Sequence, residues 1–368
     1  MHGHKDLNCI TIIGLGLIGG SLAKSMRRVY SNVHITIIER DIDTCKLALS
    51  DGVASSAFSS YTSEAKEKLL QSDIIFFCTG IDACESILKD IYPFINGENG
   101  KKPIISDVCS TKDNIKNIFQ TYKVNYIGGH PMAGSEKSGY GASSPYLLEN
   151  AIYVLCPNEN TDDSDMEMMK SVVINIGALP FVMESGEHDE VMSQISHLPH
   201  LVASVLVNSA MRYKDDSMIR ALAAGGFKDI TRIASGDAEL WKNILSANRE
   251  NVCASIDNII EMLSEFRKML ANSDGNGIYE FLEEARIGRE SFETGRKTIM
   301  NLLYEINIDV PDKPGIIAEV SVKLLKNNIN IRNIYIAESR DNELGCLRLA
   351  FDSKDARDKA AKVLGVEV

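Results

Sequence analysis

The sequence contains no long hydrophobic run. No stretch reaches the roughly 18 apolar residues of a membrane span, and no basic-then-apolar leader opens the chain, so we expect neither a transmembrane helix nor a signal peptide. The chain also lacks an excess of positive charge, since 39 Lys and Arg stand against 51 Asp and Glu, a formal net charge of −12. This charge argues against nucleic acid or an anionic membrane as the main partner.

The sequence also lacks paired cysteine motifs. Its eight cysteines are scattered, and none belongs to a CxxC motif. Several lie inside apolar, strand-like runs, which is typical of reduced, buried thiols. We do not expect His2 and His4, near the first residue, to form a metal site. We therefore expect a cytoplasmic protein without a metal centre.

The chain is long enough for two or three domains. It has 368 residues, of which 44% are hydrophobic and 24% charged, an ordinary globular composition. The hydrophobic pattern changes twice. Residues 1–184 alternate between strand-like and helix-like segments, residues 185–300 are helical throughout, and residues 301–368 mix strands and helices again. These ranges are our predicted domains.

A glycine-rich motif follows the first predicted strand and opens an amphipathic helix. Gly14, Gly16 and Gly19 have the G-x-G-x-x-G spacing of a dinucleotide site. The first glycine makes a tight turn, the second lets a pyrophosphate approach, and the third allows close packing of helix and strand. Leu17 and Ile18 belong to the helix start, whose free N–H groups and positive dipole attract phosphate. We predict a Rossmann-like, doubly wound α/β domain.

Glu39, at the end of the second predicted strand, indicates which dinucleotide binds. It lies twenty residues beyond Gly19, where a carboxylate binds the ribose 2′-hydroxyl and repels a 2′-phosphate, so NAD is favoured. Arg40 can accommodate that phosphate, so NADP stays open. Thr79 and Asp107, at the ends of two further predicted strands, are predicted to line the cofactor crevice.

The stretch GGHPMAGSEKSG, residues 128–139, holds a candidate catalytic group. Its single histidine, His130, is suited to accepting a proton near neutral pH, since free imidazole titrates near ~6.5. The alternative is a structural histidine in a turn. GGHPMAG followed by SEKSG resembles the catalytic loop of the prephenate dehydrogenase family. That resemblance implies oxidation of prephenate to 4-hydroxyphenylpyruvate with loss of carbon dioxide.

The same resemblance implies roles for three residues of this part of the chain. The family histidine matched by His130 accepts a hydrogen bond from the ring hydroxyl of the substrate, and Glu136 of the same loop is a predicted substrate contact. A serine matched by Ser110 hydrogen-bonds both the histidine and that hydroxyl. From the residues alone, Ser110 is equally suited to cap the helix that begins near Lys112.

The segment SHLPH carries two further histidines. His197 and His200 are three apart and share a helix face, and Pro199 is expected to bend that helix. They fit a metal pair, core histidines or imidazoles aimed at an active site, but a metal would need a third ligand and only a distant His188 is available. The motif resembles the family segment whose second histidine contacts the substrate. This implies a substrate contact for His200 and a supporting role for His197.

The segment GGFKDITRIA, followed by the only tryptophan, resembles the family stretch GGFKDxTRIA…W. The family arginine matched by Arg232 forms a bidentate pair with the ring carboxylate, and a guanidinium presents the planar fork that this pair requires. Lys228 is a second predicted anion contact, or a partner of Asp229. The long helices predicted over 246–270 and 278–303 form a dimer interface in the family, so we expect a homodimer.

The last domain resembles an ACT domain, with the order β-α-β-β-α and residues 363–368 as the candidate for a final strand. Asp312, Pro314 and Gly315 match the ligand-site turn of that fold, and pathway logic suggests tyrosine as the effector. An ordinary strand-to-helix turn is the alternative.

Three other functions stay open. An arogenate dehydrogenase uses the same chemistry on an amino side chain. A dehydrogenase of the same fold would act on an unrelated hydroxy acid. A catalytically silent regulator would sense NAD and an amino acid, but the presence of His130, Ser110 and Arg232 argues against it.

Overall fold

The structure is a computed structural model. It describes residues 7–95, 102–135, 137–159, 161–213, 216–299, 304–311, 313–337, 344–351 and 353–366. Glu136, Asp312, His2 and His4 lie outside the described residues. The chain forms two compact units, Met1–Glu265 and Phe266–Val368. Among the described helices, none combines the length and apolar character needed to cross a bilayer.

The first unit begins with a parallel sheet of order β3-β2-β1-β4-β5. Its strands are β1 (Cys9–Ile13), β2 (His34–Ile38), β3 (Ser56–Phe58), β4 (Ile74–Phe77) and β5 (Ile104–Asp107). The helices between and after them are α1 (Leu17–Val29), α2 (Ile42–Ser50), α3 (Ser63–Gln71), α4 (Ile81–Ile95) and α5 (Asp113–Thr121). Alternate residues of β1 enter two different hydrophobic clusters, Ile10 and Ile12 one, Ile13 the other. The sheet is thus covered on both faces, as parallel sheets require.

Three further strands continue this architecture. They are β6 (Ile127–Pro131), β7 (Ile152–Pro157) and β8 (Leu179–Val182), with α6 (Asp163–Asn175) before β8. β6 pairs antiparallel with β7, and β7 pairs parallel with β8. A parallel bridge between Ile105 of the edge strand β5 and Tyr126, the residue before β6, links the two sheets. The predicted doubly wound domain is confirmed.

The glycine-rich sequence around His130 predicts a loop, and this prediction is wrong. β6 extends through His130 and Pro131, which pair with Val154 and Tyr153 of β7. Proline is tolerated there because β6 is an edge strand of the sheet β6-β7-β8, where a missing N–H need not break the pairing.

The rest of the first unit is helical. Its helices are α7 (Ser185–Met192), α8 (Leu198–Met211), α9 (Asp216–Leu222), α10 (Gly225–Thr231) and α11 (Ala238–Ala247), and α12 (Arg249–Ala271) begins in the first unit and ends in the second. The helix predicted to carry His197 and His200 is interrupted by a π-helical turn, Ser193–His197. Pro199 follows this turn at the start of α8. A proline cannot donate the next helical hydrogen bond and crowds the preceding turn, so the backbone widens before it.

The second unit contains α13 (Gly275–Ile299), β9 (Tyr304–Pro311), α14 (Ile316–Lys326), β10 (Asn333–Ala337), β11 (Leu344–Phe351) and α15 (Lys354–Leu364). The strands form an antiparallel sheet of order β10-β11-β9. The predicted β-α-β-β-α order is confirmed. The candidate strand over 363–368 is wrong in its described part, because Val363 and Leu364 belong to α15 and Gly365, with φ of 75°, ends that helix.

Candidate active site

The three motif glycines form the turn between β1 and α1. Gly14 has φ of +91°, and a Cβ there would lie 2.7 Å from the carbonyl oxygen of Cys78. A Cβ on Gly19 would lie 2.2 Å from the carbonyl oxygen of Gly14. A Cβ on Gly16, in contrast, would have no described heavy atom within 4 Å. Gly14 and Gly19 are therefore required by the packing of the turn itself. At Gly16 the absence of a side chain leaves open space beside the backbone.

This open space fits the phosphates of a dinucleotide. Gly16 is the N-cap of α1 and makes no side-chain cap bond, and the first turn of the helix carries no acidic residue. The half-buried Leu17 and Ile18 start that turn. Backbone N–H groups and the positive end of the helix dipole are thus available to an anion.

Glu39 is fixed beside the same loop. Its Oε2 accepts a hydrogen bond of 2.7 Å from the backbone N–H of Leu15, and its Oε1 accepts one of 3.1 Å from that of Asp41. The carboxylate therefore lies at the carboxyl end of β2, next to the glycine turn. Arg40 is exposed.

Thr79 lies across from the glycine turn. It directly follows β4, the neighbour of β1 on the side where the strand order reverses. A Cβ on Gly14 would lie 2.8 Å from its Cγ2. The two strand ends are therefore in contact at the topological switch point, where open α/β sheets bind ligands.

Asp107 is not part of the crevice surface, and its predicted cofactor contact is wrong. The residue has 0% exposure. Its carboxylate accepts hydrogen bonds from the Lys112 ammonium, from the hydroxyl of Tyr126 (2.7 Å) and from the backbone N–H groups of Cys109 (2.8 Å) and Gly129 (3.1 Å). It ties the end of β5 to β6 and so positions the residue after Gly129, which is His130.

His130 is a buried imidazole at the end of β6, with 9% exposure. Its Nδ1 lies 2.8 Å from Nε2 of His188, and the two rings meet edge to face. Burial above all holds the pKa of His130 well below 6.5, and repulsion from His188, when protonated, from the Lys112 ammonium and from His197, when protonated, adds to this effect. The imidazole is therefore neutral at physiological pH.

The partner of His130 was missed by the sequence analysis, which mentioned His188 only as a distant third metal ligand. Nδ1 of His188 lies 2.7 Å from Oδ1 of Asp189. The Asp189 carboxylate accepts the backbone N–H groups of Lys112 (2.7 Å) and Asp113 (2.9 Å). These bonds join α7 to the start of α5.

The alternative role of Ser110 as the N-cap of α5 is wrong. The N-cap residue of α5 is Lys112 and makes no side-chain cap bond, because Asp189 accepts the N–H groups at this helix start. Ser110 is half-buried. Within the described chain it makes no hydrogen bond to His130, whose Nδ1 is engaged by His188.

His197 and His200 flank the only tryptophan. The ring of His200 stacks on Trp241, and the ring of His197 meets that indole at 82°. Nδ1 of His197 lies 3.1 Å from Nδ2 of Asn248. Nε2 of His197 and Nδ1 of His200 are buried without a partner among the described residues. Burial lowers the pKa of His197 to about 4 and lowers that of His200, so both are neutral at pH 7.

The predicted anion contacts lie on the segment that packs against α8. Arg232 begins a 3₁₀ turn, Arg232–Ser235, that contacts α8, and Lys228 lies on α10. Both side chains are exposed. A Cβ on Gly236, directly after the turn, would lie 2.6 Å from Nε1 of Trp241 and 3.2 Å from Cε1 of His200. The structure thus brings the turn that carries Arg232 together with His200.

The second unit has a cavity of about 700 Å³ at the predicted effector turn. Gly315, with φ of 90°, is the N-cap of α14, and Pro314 precedes it. The lining is largely apolar and includes Val310, Pro311, Ile316, Ile317, Cys346 and Leu347. Across both units, the described residues include no group of three or more His, Cys, Asp or Glu placed to hold a metal ion.

Comparisons with known proteins agree with this architecture. Residues 22–181 match the family model "Prephenate dehydrogenase, nucleotide-binding domain", residues 184–284 match "Prephenate dehydrogenase, dimerization domain", and residues 304–360 match "ACT domain". A prephenate dehydrogenase from Bacillus subtilis (strain 168) is 32% identical over 99% of this chain and 97% of its own length.

Two solved structures are similar over most of the chain. Prephenate dehydrogenase from A. aeolicus, in complex with hydroxyphenyl propionate and NAD+, is 26% identical with a TM-score of 0.73, over 79% of this chain and 100% of its own. Arogenate dehydrogenase from Synechocystis is 28% identical with a TM-score of 0.68, over 77% of this chain and 99% of its own.

Proposed function

The chain belongs to the prephenate dehydrogenase family, and from this premise we propose that it oxidises prephenate to 4-hydroxyphenylpyruvate and carbon dioxide. NAD+, when bound, supplies the acceptor for the hydride that leaves ring carbon C4. Loss of the ring carboxylate makes the ring aromatic, so the protein needs mainly to position groups and to stabilise charge.

The observation that carries this proposal is the neutral, buried imidazole of His130 at the end of β6. A base is effective when it is unprotonated and held within hydrogen-bond reach of the proton it takes. The lowered pKa of His130 meets the first condition at pH 7. Because Nδ1 is engaged by His188, we assign Nε2 to the ring hydroxyl. Ser110 would orient that hydroxyl.

We assign recognition of the two substrate carboxylates to the helical part of the first unit. Arg232 would bind the ring carboxylate with its planar guanidinium. His200 would contact the side-chain end, supported by His197, with Lys228 adding positive charge. The unpartnered nitrogens of the two histidines support this assignment, because buried polar atoms normally have partners and a ligand can provide them. Glu136, which completes the predicted set, lies outside the described residues.

The cofactor proposal rests on Gly14, Gly16, Leu17, Ile18 and Gly19 for the pyrophosphate, and on Glu39 for the ribose. Glu39 is held beside the glycine turn by the Leu15 N–H, where its negative charge would repel a 2′-phosphate. We therefore propose NAD, with Thr79 at the opposite wall of the crevice. Arg40 gives NADP as the alternative.

Arogenate is the second candidate substrate, because the chain is also similar to an arogenate dehydrogenase. The deciding experiment follows formation of reduced cofactor by absorbance, with prephenate or arogenate and with NAD+ or NADP+. We expect the highest kcat/KM with prephenate and NAD+. A higher value with arogenate would reassign the substrate. No turnover with either would favour the non-catalytic sensor.

We propose a homodimer formed through the helical region, with domains at 1–184, 185–300 and 301–368. The match to a dimerization domain supports this, as do the exposed apolar side chains of α12, where Ile260 is 54% and Leu263 is 63% exposed. Light scattering on the purified protein measures its molar mass in solution, which should equal that of two chains. Replacing both Ile260 and Leu263 with Lys should lower the measured mass to that of one chain.

We propose that the second unit binds an effector, and that this effector is tyrosine. The ACT match supports a small-molecule site, and the apolar cavity beside Pro314 and Gly315 suits an aromatic side chain. Asp312 of the predicted site lies outside the described residues. G315V should remove the response of the enzyme to tyrosine and leave the basal rate intact, since a side chain at φ of 90° is strained. An unchanged response would exclude this turn.

A further inference from the structure

The hydrogen-bond chain behind His130 extends further than a general base requires. It runs from His130 through His188 to Asp189, and we call these three residues the relay. They are 9%, 0% and 2% exposed. We propose that His188 and Asp189 are positioning residues that hold His130 in the one neutral tautomer able to accept the proton of the substrate. This rests on the proposed function of His130 as the base.

The direction of the hydrogen bonds follows from the chemistry of the groups. The Asp189 carboxylate accepts the backbone N–H groups of Lys112 and Asp113 and is an acceptor only, so Nδ1 of His188 carries the hydrogen that faces it. The tautomer of His188 that carries its hydrogen on Nδ1 has a lone pair on Nε2. Nδ1 of His130, 2.8 Å away, must donate to that lone pair. Nε2 of His130 is left with its own lone pair, free to accept a proton.

Asp189 is held more firmly than a surface carboxylate. Its two oxygens accept N–H groups at the start of α5, where the positive end of the helix dipole also favours a negative charge. Its backbone carbonyl accepts Nδ2 of Asn248 at 2.7 Å. Among the described residues, the other buried charges near these hydrogen bonds are the Lys112 ammonium and the Asp107 carboxylate, which pair with each other. Asp189 is therefore the anion in direct contact with the histidine pair.

During the proposed reaction, the hydroxyl proton of the substrate moves to His130 and returns to the product. The hydroxyl O–H bond of the substrate breaks and the proton joins Nε2 of His130, while the C4–H bond breaks and hydrogen leaves with both electrons as hydride. The bond to the ring carboxylate then breaks, its electrons enter the ring, and carbon dioxide departs. The resulting phenolate oxygen takes the proton back from Nε2. The histidine thus holds a proton for part of each cycle and releases none to solvent.

Holding that proton is costly for a lone buried imidazole, because burial disfavours the charged form. The same burial lowers the pKa of His130. A hydrogen bond from Nδ1 through His188 to the Asp189 carboxylate stabilises the imidazolium while it exists. Removal of the acceptor at His188 also frees His130 to adopt the other tautomer, whose Nε2–H cannot act as a base.

Two substitutions at one position separate this positioning role from a purely structural one. In H188N, the amide nitrogen takes the place of Nδ1 and keeps the bond to Asp189, but the acceptor facing His130 is lost. In H188Q, the amide oxygen takes the place of Nε2 and keeps that acceptor. H34N, at a half-buried histidine on β2 that bonds to Ser56, is the matched control outside the site.

We expect H188N to lower kcat about 100-fold or more, within the ~10²–10⁴ range of general-base contributions, with KM for prephenate changed less than about threefold. H188Q should recover at least about tenfold of that loss, and H34N should match the wild type. Equal losses in H188N and H188Q, or a kcat for H188N within about threefold of wild type, would overturn the proposal.

A spectroscopic readout keeps the test independent of activity. Nitrogen-15 correlation spectra of the histidine rings report which nitrogen carries the hydrogen, and His130 is identified by comparison with H130N. We expect the Nδ1–H form for His130 in the wild type and in H188Q, and a gain of the Nε2–H form in H188N. An Nε2–H form in the wild type would overturn the relay even if prephenate is oxidised. The expected spectra from a protein that does not oxidise prephenate would leave the relay standing and remove the proposed function.

Discussion

The imidazole of His200 lies flat on the indole of Trp241, with ring centroids 3.5 Å apart and planes inclined by 11°. His200 is on α8 and Trp241 is on α11, and Gly236 packs against both rings. The absence of a side chain at Gly236 allows this approach, since a Cβ would overlap the indole. The plane of the proposed substrate contact is therefore fixed by the only tryptophan of the chain.

Substrate binding should change the fluorescence of Trp241. A ligand that bonds His200 alters the group stacked on the indole, and no other tryptophan contributes to the emission. A titration with prephenate should give a saturable change in emission, and R232A should need at least about tenfold more prephenate, since a lost bidentate carboxylate pair costs roughly 1.5–3 kcal/mol. K242A, at an exposed neighbour of Trp241, is the control. A constant emission at prephenate concentrations that saturate turnover would contradict the assignment of His200.

Replacement of His130 by Asn should lower kcat about 10²–10⁴-fold and change KM for prephenate much less. The substitution removes the proton acceptor but leaves the proposed carboxylate contacts intact. Steady-state kinetics with prephenate measure both constants, and calorimetric titration with NAD+ checks that cofactor binding is preserved. An unchanged kcat would remove His130 from the mechanism.

The cofactor domain was predictable from sequence because its determinants are local. A strand, three glycines at fixed spacing and a helix follow each other directly, and the structure explains two of these glycines by contacts within the same turn and the neighbouring strand. Gly14 needs a positive φ, and Gly19 meets the carbonyl of Gly14. Glu39 was predictable for the same reason, since its distance from the motif is set by one helix and one strand.

The relay behind His130 could not be predicted in this way. His188 is 58 residues away from His130, on a helix that contacts the end of β6 only in the folded chain. Neither strand nor helix periodicity relates the two positions. Asp107 was misplaced for a related reason, because a carboxylate at a strand end looks the same in sequence whether it faces the crevice or turns inward to Lys112 and Tyr126.

Gly16 and Gly19 should respond differently to alanine. G19A places a Cβ 2.2 Å from the carbonyl oxygen of Gly14, a contact between backbone atoms that cannot be relieved by a side-chain rotation. We expect loss of stability by several kcal/mol or failure to fold. G16A meets no described atom within 4 Å, so it should keep its Tm within a few degrees and weaken NAD+ binding at least about tenfold. Thermal melts and NAD+ titrations measure both effects. Similar behaviour of the two variants would contradict the open approach at Gly16.

The buried histidines should make the first unit less stable at acid pH. Burial lowers the pKa of His130, His197 and His200, so below about pH 6.5 the unfolded chain binds more protons than the folded one. Stability is then complete above about pH 6.5 and is lost as the pH falls towards the folded pKa, which is about 4 for His197.

For His197 alone, the fall in pKa from 6.5 in the unfolded chain to about 4 in the folded one corresponds to a loss of up to about 3 kcal/mol in the free energy of unfolding. H197N keeps an acceptor for Asn248 and removes the titration, so it should lose less stability than the wild type between pH 7 and pH 4.5. Urea unfolding followed by the emission of Trp241 reports on the first unit, where all three histidines lie. Above pH 7 the free energy of unfolding should change with pH equally in the two proteins, because none of these imidazoles titrates there in either state. Parallel loss of stability in both proteins down to pH 4.5 would show that His197 is already protonated in the folded chain, and the neutral state we assign to it would then be wrong.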